Sequence, residues 1–337
     1  MNSMERVMAA VTFGSPDRVP VIAQVFGHAA IVAGVPLDEY IQDGELLAWC
    51  QLKALELYGY DAVFSVMDVN VETEAMGSAL NYHKNRYPTV ETYALSKENN
   101  WGSLSTPDPE QAGRMSEMLK ALRILRRELR DEIPVVGCVM GPLTLVTQLL
   151  GMEAALYLAV DDTDRFGRLM DFATEVVIRF GVAQIRAGAH LPIVFDPSAS
   201  PAVVPHQFFR DVELPRLKKL FASFKQAGAA GNWLNIAGPV ESILQYYTDA
   251  GVNIANFDYC VTPHVASKKL PKTCLDGNIK PLAFVESAPD EIAAEADTLL
   301  KSFAGRGGFI LSSGCEIPPE SIQENVEAMV MTARNTR

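Results

Sequence analysis

Polar and small residues follow three apolar, strand-like runs, at points where a barrel could hold catalytic groups. Asp196 begins the segment Asp-Pro-Ser-Ala-Ser after one run, Asn235 begins Asn-Ile-Ala-Gly-Pro after a second, and Cys315 with Glu316 follows a third. A carboxyl group can anchor a polar substrate or move a proton, and a thiol can act as a nucleophile or metal ligand. A helical pattern begins soon after each segment, as it does at the carboxyl ends of the strands of a parallel barrel.

Other predicted strand ends carry similar groups, and their recurrence at one end of the fold is the main indication of a functional site there. A single aspartate at such a place is as often a helix cap or a loop hydrogen-bond acceptor as a catalytic group. Glu72 could face either the site or solvent. Besides the four residues above, the ring contains Gln24, His28, Asp68, residues 141–144, Asp258 and Asn278, while Glu72 follows Asp68 in the next segment.

Eight apolar runs alternate with helical patterns, which predicts a single (β/α)8 barrel. A doubly wound sheet is the alternative, but no Gly-x-Gly-x-x-Gly motif follows an early strand. We expect one domain over residues 1–337, with an N-terminal helix and an insertion around 71–105, after the second strand, that could act as a lid. The predicted strands cover residues 19–25, 62–66, 134–139, 193–195, 233–236, 253–257, 273–275 and 309–311.

Composition excludes several classes of partner. The net charge of −12 argues against nucleic acid and anionic membranes. The apolar runs are too short to span a bilayer and no secretory signal pattern is visible, so we expect a cytoplasmic protein. The five cysteines are odd in number, widely spaced and without a Cys-x-x-Cys pair, which predicts reduced thiols.

Several motifs resemble those of the uroporphyrinogen decarboxylase superfamily, and within it those of the corrinoid-dependent methyltransferases such as the methylcobamide:coenzyme M methyltransferases. The resemblance covers almost the whole chain and implies a (β/α)8 barrel with its funnel at the carboxyl ends of the strands. The matching segments are residues 14–20, 68–77, 141–144, 196–200 and 277–281.

Two departures separate the chain from the decarboxylases that act on porphyrins. Their arginine-rich segment, which binds the porphyrin carboxylates, corresponds here to residues 22–28, which contain no arginine. Their histidine near the last strand is replaced by Cys315 and Glu316. Because porphyrin carboxylates would find few partners on this acidic chain, porphyrin decarboxylation is not the favoured function.

A further departure concerns zinc. The thiol-methylating relatives bind zinc through a His-x-Cys pair and a later cysteine, and the metal makes the acceptor a thiolate. In this chain Asn235 and Ala237 occupy the His-x-Cys positions, and only Cys315 matches. Asparagine is a poor zinc ligand and alanine is none, so zinc is not expected unless neighbouring carboxylates supply replacements. The candidate replacements are Asp196, Asp258 and Glu316.

The resemblance implies a methyltransferase that moves a methyl group between a small substrate and the cobalt of a partner corrinoid protein. No Asp-x-His-x-x-Gly corrinoid motif occurs, so the cobamide must arrive on that partner. The methyl donor or acceptor is expected to be something other than a simple thiol, such as a folate, a methylated amine or an aryl methyl ether. The expected catalytic residues are Asp68, Asp196, Asn235 and Glu316, and the expected substrate-binding residues are Gln24, His28, Glu72, Asp258, Asn278 and Cys315.

Two other functions stay open at this point. One is a decarboxylase or other lyase, which would release carbon dioxide without cobalamin. The other is a binding relative that has lost catalysis together with its metal ligands. The sequence also leaves open the direction of transfer and the oligomeric state, including a homodimer.

Overall fold

Seven parallel strands form the central sheet of the computed structural model, which describes residues 1–95, 101 and 104–336. Every residue of these strands is buried, as expected for parallel strands covered on both faces. In the order in which they pair, they are β1 (Val63–Ser65), β4 (Val135–Met140), β5 (Leu191–Phe195), β6 (Trp233–Asn235), β7 (Ile254–Asn256), β8 (Cys274–Ile279) and β9 (Phe309–Ser313).

The extended segment 20–25 lies between β9 and β1 and completes the barrel. Val21 and Val25 form isolated parallel bridges to Leu311 and Ile317 on one side. On the other side, the carbonyl of Val21 accepts a hydrogen bond of 2.7 Å from the amide of Asp61. The prediction of a TIM-like α/β barrel is therefore confirmed, with the first predicted strand reduced to bridges.

The α-helices surround this barrel. Asp162 caps the longest one by accepting a hydrogen bond from the amide of Arg165, as its position in the sequence indicates. The helices are α1 (Ser3–Val11), α2 (Gly27–Val32), α3 (Leu37–Tyr40), α4 (Gly44–Tyr58), α5 (Val71–Ala75), α6 (Gly113–Leu129), α7 (Pro142–Leu150), α8 (Met152–Asp161), α9 (Thr163–Ala187), α10 (His206–Phe208), α11 (Leu214–Ala227), α12 (Tyr247–Ala250), α13 (Pro263–Lys269), α14 (Ala283–Glu286), α15 (Pro289–Phe303) and α16 (Gln323–Asn335).

Two segments whose apolar residues follow a helical spacing, 240–250 and 207–225, are less regular than an α-helix. The pattern over 240–250 forms two 3-10 turns, Val240–Ser242 and Leu244–Tyr246, followed by the short helix α12. The pattern over 207–225 contains a π-helical segment, Phe209–Glu213, before α11. Neither difference moves the strand ends that form the site.

The insertion after β1 contains α5 and an antiparallel hairpin of β2 (Ala79–His83) and β3 (Arg86–Thr92). The amide of Leu95 donates a hydrogen bond of 2.9 Å to the carbonyl of Leu149 and so attaches the end of the hairpin to α7. The part of the predicted lid at 96–100 and 102–103 lies outside the described residues.

The helices differ from membrane spans in length and composition. Within the described ranges, each helix by itself is too short or too polar to cross a bilayer. Taken together, α7 and α8 are long and apolar enough to do so, but the pair is bent by 108° where the two helices meet.

Candidate functional site

A cavity of about 120 Å³ opens at the carboxyl ends of the strands. It brings together four of the residues that the sequence predicts for the site, namely Asp68, Asn235, Cys315 and Glu316. A larger cavity, of about 780 Å³, lies between the end of the hairpin and α8, and the predicted site residues do not line it. The smaller cavity is lined by Phe26, Val66, Asp68, Val69, Tyr87, Met140, Phe195, Pro197, Asn235, Ala237, Cys315 and Glu316.

Asn235, the last residue of β6, is 1% exposed and lies at the base of this cavity. Its Nδ2 donates a hydrogen bond of 3.0 Å to Oε1 of Gln24, on the neighbouring segment 20–25. Gln24 in turn donates from Nε2 to the carbonyl of Ser313, at 3.3 Å. The sequence placed Gln24 in the site, and the structure places it beneath Asn235, outside the cavity lining.

Glu316 follows β9 and is hydrogen-bonded to the insertion. The hydroxyl of Tyr87 donates to Oε1 of Glu316 and accepts a hydrogen bond of 2.9 Å from the amide of Gly27. Burial raises the pKa of Glu316 to about 7, although the hydrogen bond from Tyr87 acts in the opposite direction. A carboxyl group with a pKa near neutrality can both give and take a proton.

Asp68 forms a buried ion pair with Arg114, which α6 contributes. Arg114 donates to both carboxylate oxygens of Asp68, and its Nε donates to Glu74 at 2.6 Å. The amide of Asn70 adds a hydrogen bond of 2.7 Å to Asp68. Burial raises the pKa of Asp68, whereas the charge and hydrogen bonds of Arg114 lower it. The charge of Arg114 is thus shared between two carboxylates.

Asp196 is completely buried and supports the start of α7 instead of facing the cavity. Its Oδ1 accepts hydrogen bonds from the amide and the hydroxyl of Thr144, at 2.9 and 2.6 Å. Its other oxygen lies against Gly141, where a Cβ atom would come within 2.2 Å. Burial raises the pKa values of both Asp196 and the neighbouring Glu213, which favours one proton shared between them. These contacts give Asp196 a supporting position behind the cavity, and its expected catalytic role stays a prediction.

Glu72 is also placed behind the lining. Its Oε1 accepts a hydrogen bond of 2.9 Å from the amide of Met140, at the end of β4. Burial raises the pKa of Glu72 to about 7. The side chain is 2% exposed, so it faces neither solvent nor the cavity. In this position it supports the end of β4, and its expected role in substrate binding stays a prediction.

His28 is held away from the cavity by two hydrogen bonds. Its Nδ1 lies 2.9 Å from the carbonyl of Pro319, and its Nε2 lies 2.7 Å from the hydroxyl of Tyr58. Since a carbonyl only accepts, the neutral ring carries its proton on Nδ1 and accepts from Tyr58 at Nε2. Burial lowers the pKa of His28 and so favours this neutral form. His28 does not line the cavity, and its expected role in substrate binding stays a prediction.

Asp258 and Asn278 support loops beside the cavity. The carboxylate of Asp258 accepts hydrogen bonds of 2.8 and 2.7 Å from the amides of Gly238 and Tyr259. Asn278 donates from Nδ2 to the carbonyls of Asp258 and Val261, at 3.3 and 2.9 Å. Both carboxylate oxygens of Asp258 and the Nδ2 atom of Asn278 are thus engaged by backbone groups, and their expected roles in substrate binding stay predictions.

The donor set at the cavity does not suit zinc. Asn235 presents an amide, Ala237 presents a methyl group, and Cys315 presents a thiol whose pKa burial raises to about 12. The two carboxyl groups of the lining, Asp68 and Glu316, are already engaged by Arg114 and Tyr87. Zinc binds thiolates, imidazoles and carboxylates, usually four together. Over the described ranges, no three histidine, cysteine or carboxylate side chains converge in a way that could hold a metal.

Sequence reasoning missed two residues that shape this site. Tyr87 lies in the inserted hairpin, where a tyrosine is an ordinary strand residue. Arg114 begins a helical pattern rich in arginine and gives no separate signal. Both reach the site through long-range packing, which neither residue's local sequence specifies.

This parallel α/β barrel has a largely apolar cavity, with two carboxyl groups and an amide in its lining, at the carboxyl ends of its strands. Barrel enzymes place their active sites at this end. The family model described as uroporphyrinogen decarboxylase (URO-D) matches residues 2–336. The chain therefore belongs to the URO-D family.

Relatives in this family include both transferases and decarboxylases. The chain is 30% identical over 335 residues to the methylcobamide:CoM methyltransferase MtaA of Methanosarcina barkeri, covering 96% of this chain and 95% of that one. It is 29% identical over 300 residues to the uroporphyrinogen decarboxylase of Thermus thermophilus, covering 87% and 85%. A solved methyltransferase from Methanosarcina mazei superposes with a TM-score of 0.90 at 29% identity, covering 99% and 98%.

Proposed function

We propose that this chain is a methyltransferase that moves a methyl group between a small substrate and the cobalt of a separate corrinoid protein. The observation that carries the proposal is the 30% identity to MtaA over 96% of this chain and 95% of the relative. The TM-score of 0.90 to a solved methyltransferase supports the same choice. Family membership alone would fit a decarboxylase equally well.

The charge of the cavity favours methyl transfer over porphyrin decarboxylation. Among the described residues that line the cavity, none is a lysine, an arginine or a histidine. Arg114 forms ion pairs with both Asp68 and Glu74, so its positive charge is already balanced and is not available to a carboxylate of the substrate. Carboxylate groups are best held by bidentate arginines, and a porphyrin carries several such groups. A volume of about 120 Å³ also limits the substrate to a small molecule.

Methyl transfer to or from cobalt is an in-line displacement. When the corrinoid is methylated, the electron pair of Co(I) forms the bond to the methyl carbon. The bond from that carbon to the substrate heteroatom breaks, and its electron pair stays on the heteroatom, which then takes a proton. The reverse reaction returns the proton and reduces Co(III) to Co(I). The main contribution of the barrel is to align the reacting atoms.

Glu316 is the residue we assign to the proton. It lines the cavity, and burial brings its pKa to about 7, so both protonation states are accessible near neutral pH. Its hydrogen bond to Tyr87 fixes the direction of the carboxyl group. Asn235 and Asp68 line the same cavity and would position the substrate, and Cys315 would contact it as a neutral thiol.

The test follows the cobalt spectrum. The purified chain is incubated with cob(I)alamin and, in separate reactions, a methylated amine, an aryl methyl ether or methyltetrahydrofolate, and with methylcobalamin for the reverse direction. We expect one donor to convert Co(I) to methyl-Co(III). Glu316→Gln should slow this by about 100-fold or more. Glu286→Gln, an exposed carboxylate on α14 outside the cavity lining, should have no effect. An unchanged spectrum with every donor, or carbon dioxide release without cobalamin, would overturn the proposal.

A further inference from the structure

We propose that the small substrate of this cavity is a neutral molecule that donates a hydrogen bond to Oδ1 of Asn235, and not an anionic thiol. This deepens the proposed methyl transfer and rests on it for the reaction. The binding claim itself depends on the geometry of Asn235 and on the charge of the cavity, and it can be tested without cobalt.

The orientation of the Asn235 amide follows from the groups beneath it. The carbonyl of Ser313 can only accept, so the Gln24 atom facing it at 3.3 Å must be Nε2. The hydroxyl of Ser312 donates to the carbonyl of Ile22 at 2.7 Å, so it too can only accept from Gln24. Gln24 therefore turns Oε1 toward Asn235.

Asn235 must then donate a hydrogen bond from Nδ2, which lies 3.0 Å from Oε1 of Gln24. Its own Oδ1 has no hydrogen-bond partner, although the side chain is only 1% exposed. Because Asn235 lines the cavity, a ligand is the group placed to supply the missing donor. A buried carbonyl left unpaired is costly, so a site of this kind discriminates strongly against ligands that lack the donor.

The charges around the cavity exclude an anion as the preferred occupant. Two carboxyl groups, Asp68 and Glu316, belong to the lining, and none of the described lining side chains is cationic. The ion pairs of Arg114 with Asp68 and Glu74 leave it no free carboxylate-binding edge toward the cavity. An anionic ligand would lose its hydration without finding a partner there.

The remaining wall is apolar and suits a single ring. Phe26 and Phe195 meet edge to face, with ring centroids 5.7 Å apart, and Val66 and Met140 complete this side. The volume of about 120 Å³ approaches the roughly 150 Å³ of an apolar cavity that binds benzene. The fitting ligand is thus a single-ring or similarly small apolar body that carries a hydroxyl or amine donor.

Three single-ring probes test this by isothermal titration calorimetry at pH 8: phenol, which donates a hydrogen bond, anisole, which only accepts, and benzoate, which is anionic. In the wild-type chain phenol should bind at least about tenfold more tightly than either of the others. Asn235→Ala should reduce the preference of phenol over anisole to about twofold or less. Asn325→Ala, the same change in a buried asparagine outside the cavity lining whose hydrogen bonds go to the carbonyls of Phe284 and Ser287, should keep it.

Gln24→Met tests the positioning role of the residue beneath Asn235. It removes the acceptor that orients the amide, so the preference for phenol should weaken while anisole binds as before. Equal binding of phenol and anisole to the wild-type chain, a preference retained in Asn235→Ala, or tightest binding of benzoate would overturn the inference. If cobalt is methylated but the preference is absent, only this inference fails. If the preference is present but cobalt is never methylated, only the proposed function fails.

Discussion

The hydroxyl of Tyr87, near the turn of the inserted hairpin, donates a hydrogen bond to Glu316, which follows the last barrel strand. The two residues are separated by 229 positions in the chain. Their contact makes the insertion part of the cavity wall. It also links the position of the hairpin to the carboxyl group that we assign to proton transfer.

Tyr87→Phe should therefore shift the pH dependence of methyl transfer. The hydrogen bond from Tyr87 stabilises the carboxylate and lowers the pKa of Glu316, which burial otherwise raises to about 7. Removal of the hydroxyl should raise that pKa. In the proposed reaction, methylation of cobalt requires the protonated carboxyl, so the rate should fall as pH rises through the pKa of Glu316. In Tyr87→Phe this fall should occur at higher pH. The measurement is the initial rate of methyl-Co(III) formation between pH 5.5 and pH 9.

The control is Tyr93→Phe, a tyrosine of the same insertion that is 40% exposed and lies outside this cavity. It should leave the profile unchanged. A purely structural role for Tyr87 would lower the rate at every pH without moving the midpoint. That result would contradict the assignment of Glu316 as the proton carrier.

Asp68, Asn235, Cys315 and Glu316 could be predicted because each follows an apolar run, and the topology of a parallel barrel brings such positions to one end. His28 has the same sequence signature, yet its ring turns toward Tyr58 because it lies one residue into α2. Side-chain direction at a strand end depends on the first turns of the loop, and those turns depend on neighbours that are distant in sequence. The docking of the hairpin and of Arg114 depends on such neighbours as well.

The ion pair of Asp68 and Arg114 predicts a large loss of stability when one partner is removed. The two side chains are 1% and 7% exposed, so the remaining charge would stay buried without its partner. Arg114→Met should lower the free energy of unfolding by about 3–5 kcal/mol. The measurement is equilibrium unfolding in urea.

Two further variants serve as controls for the stability loss expected in Arg114→Met. Arg123→Ala removes an arginine of the same helix whose partner, Glu110, is exposed, and it should cost less than about 1 kcal/mol. The double variant Asp68→Asn with Arg114→Met should recover part of the loss, because no unpaired charge remains. An Arg114→Met chain as stable as the wild type would show that Asp68 is adequately solvated or neutral without its partner.

Gly141, which precedes α7, is required by the close approach of Asp196. Its φ of −68° would suit alanine, so backbone strain is not the reason. A Cβ atom there would lie 2.2 Å from Oδ2 of Asp196, whose other oxygen is fixed by Thr144. Gly141→Ala should therefore lower the free energy of unfolding by about 1–3 kcal/mol. Thermal unfolding followed by circular dichroism measures this change.

Gly167→Ala is the matched control, and it should raise the free energy of unfolding where Gly141→Ala lowers it. Gly167 lies within α9, and a Cβ atom added there would have its nearest neighbour 3.9 Å away. Alanine favours the helix at this position by up to about 1 kcal/mol. If both alanine variants are equally stable, the carboxyl of Asp196 is free to move, and its role as a support for α7 is wrong.

Restoring two side chains should create a zinc site in this cavity. Residues 235 and 237 both line it, together with Cys315, so Asn235→His with Ala237→Cys would place one imidazole and two thiols around one space. These are ligands that zinc prefers, and binding would displace the proton that burial keeps on Cys315, whose pKa is about 12 without metal. The double variant should retain about one zinc per chain after dialysis, as measured by plasma mass spectrometry. Cobalt(II) substitution should add a thiolate charge-transfer band.

Adding Cys315→Ser should abolish both signals, and the wild-type chain should show neither. Stoichiometric zinc in the wild-type chain that is lost in Cys315→Ser would mean that carboxylates replace the missing ligands, and proton transfer by Glu316 would then have to be reconsidered as metal ligation.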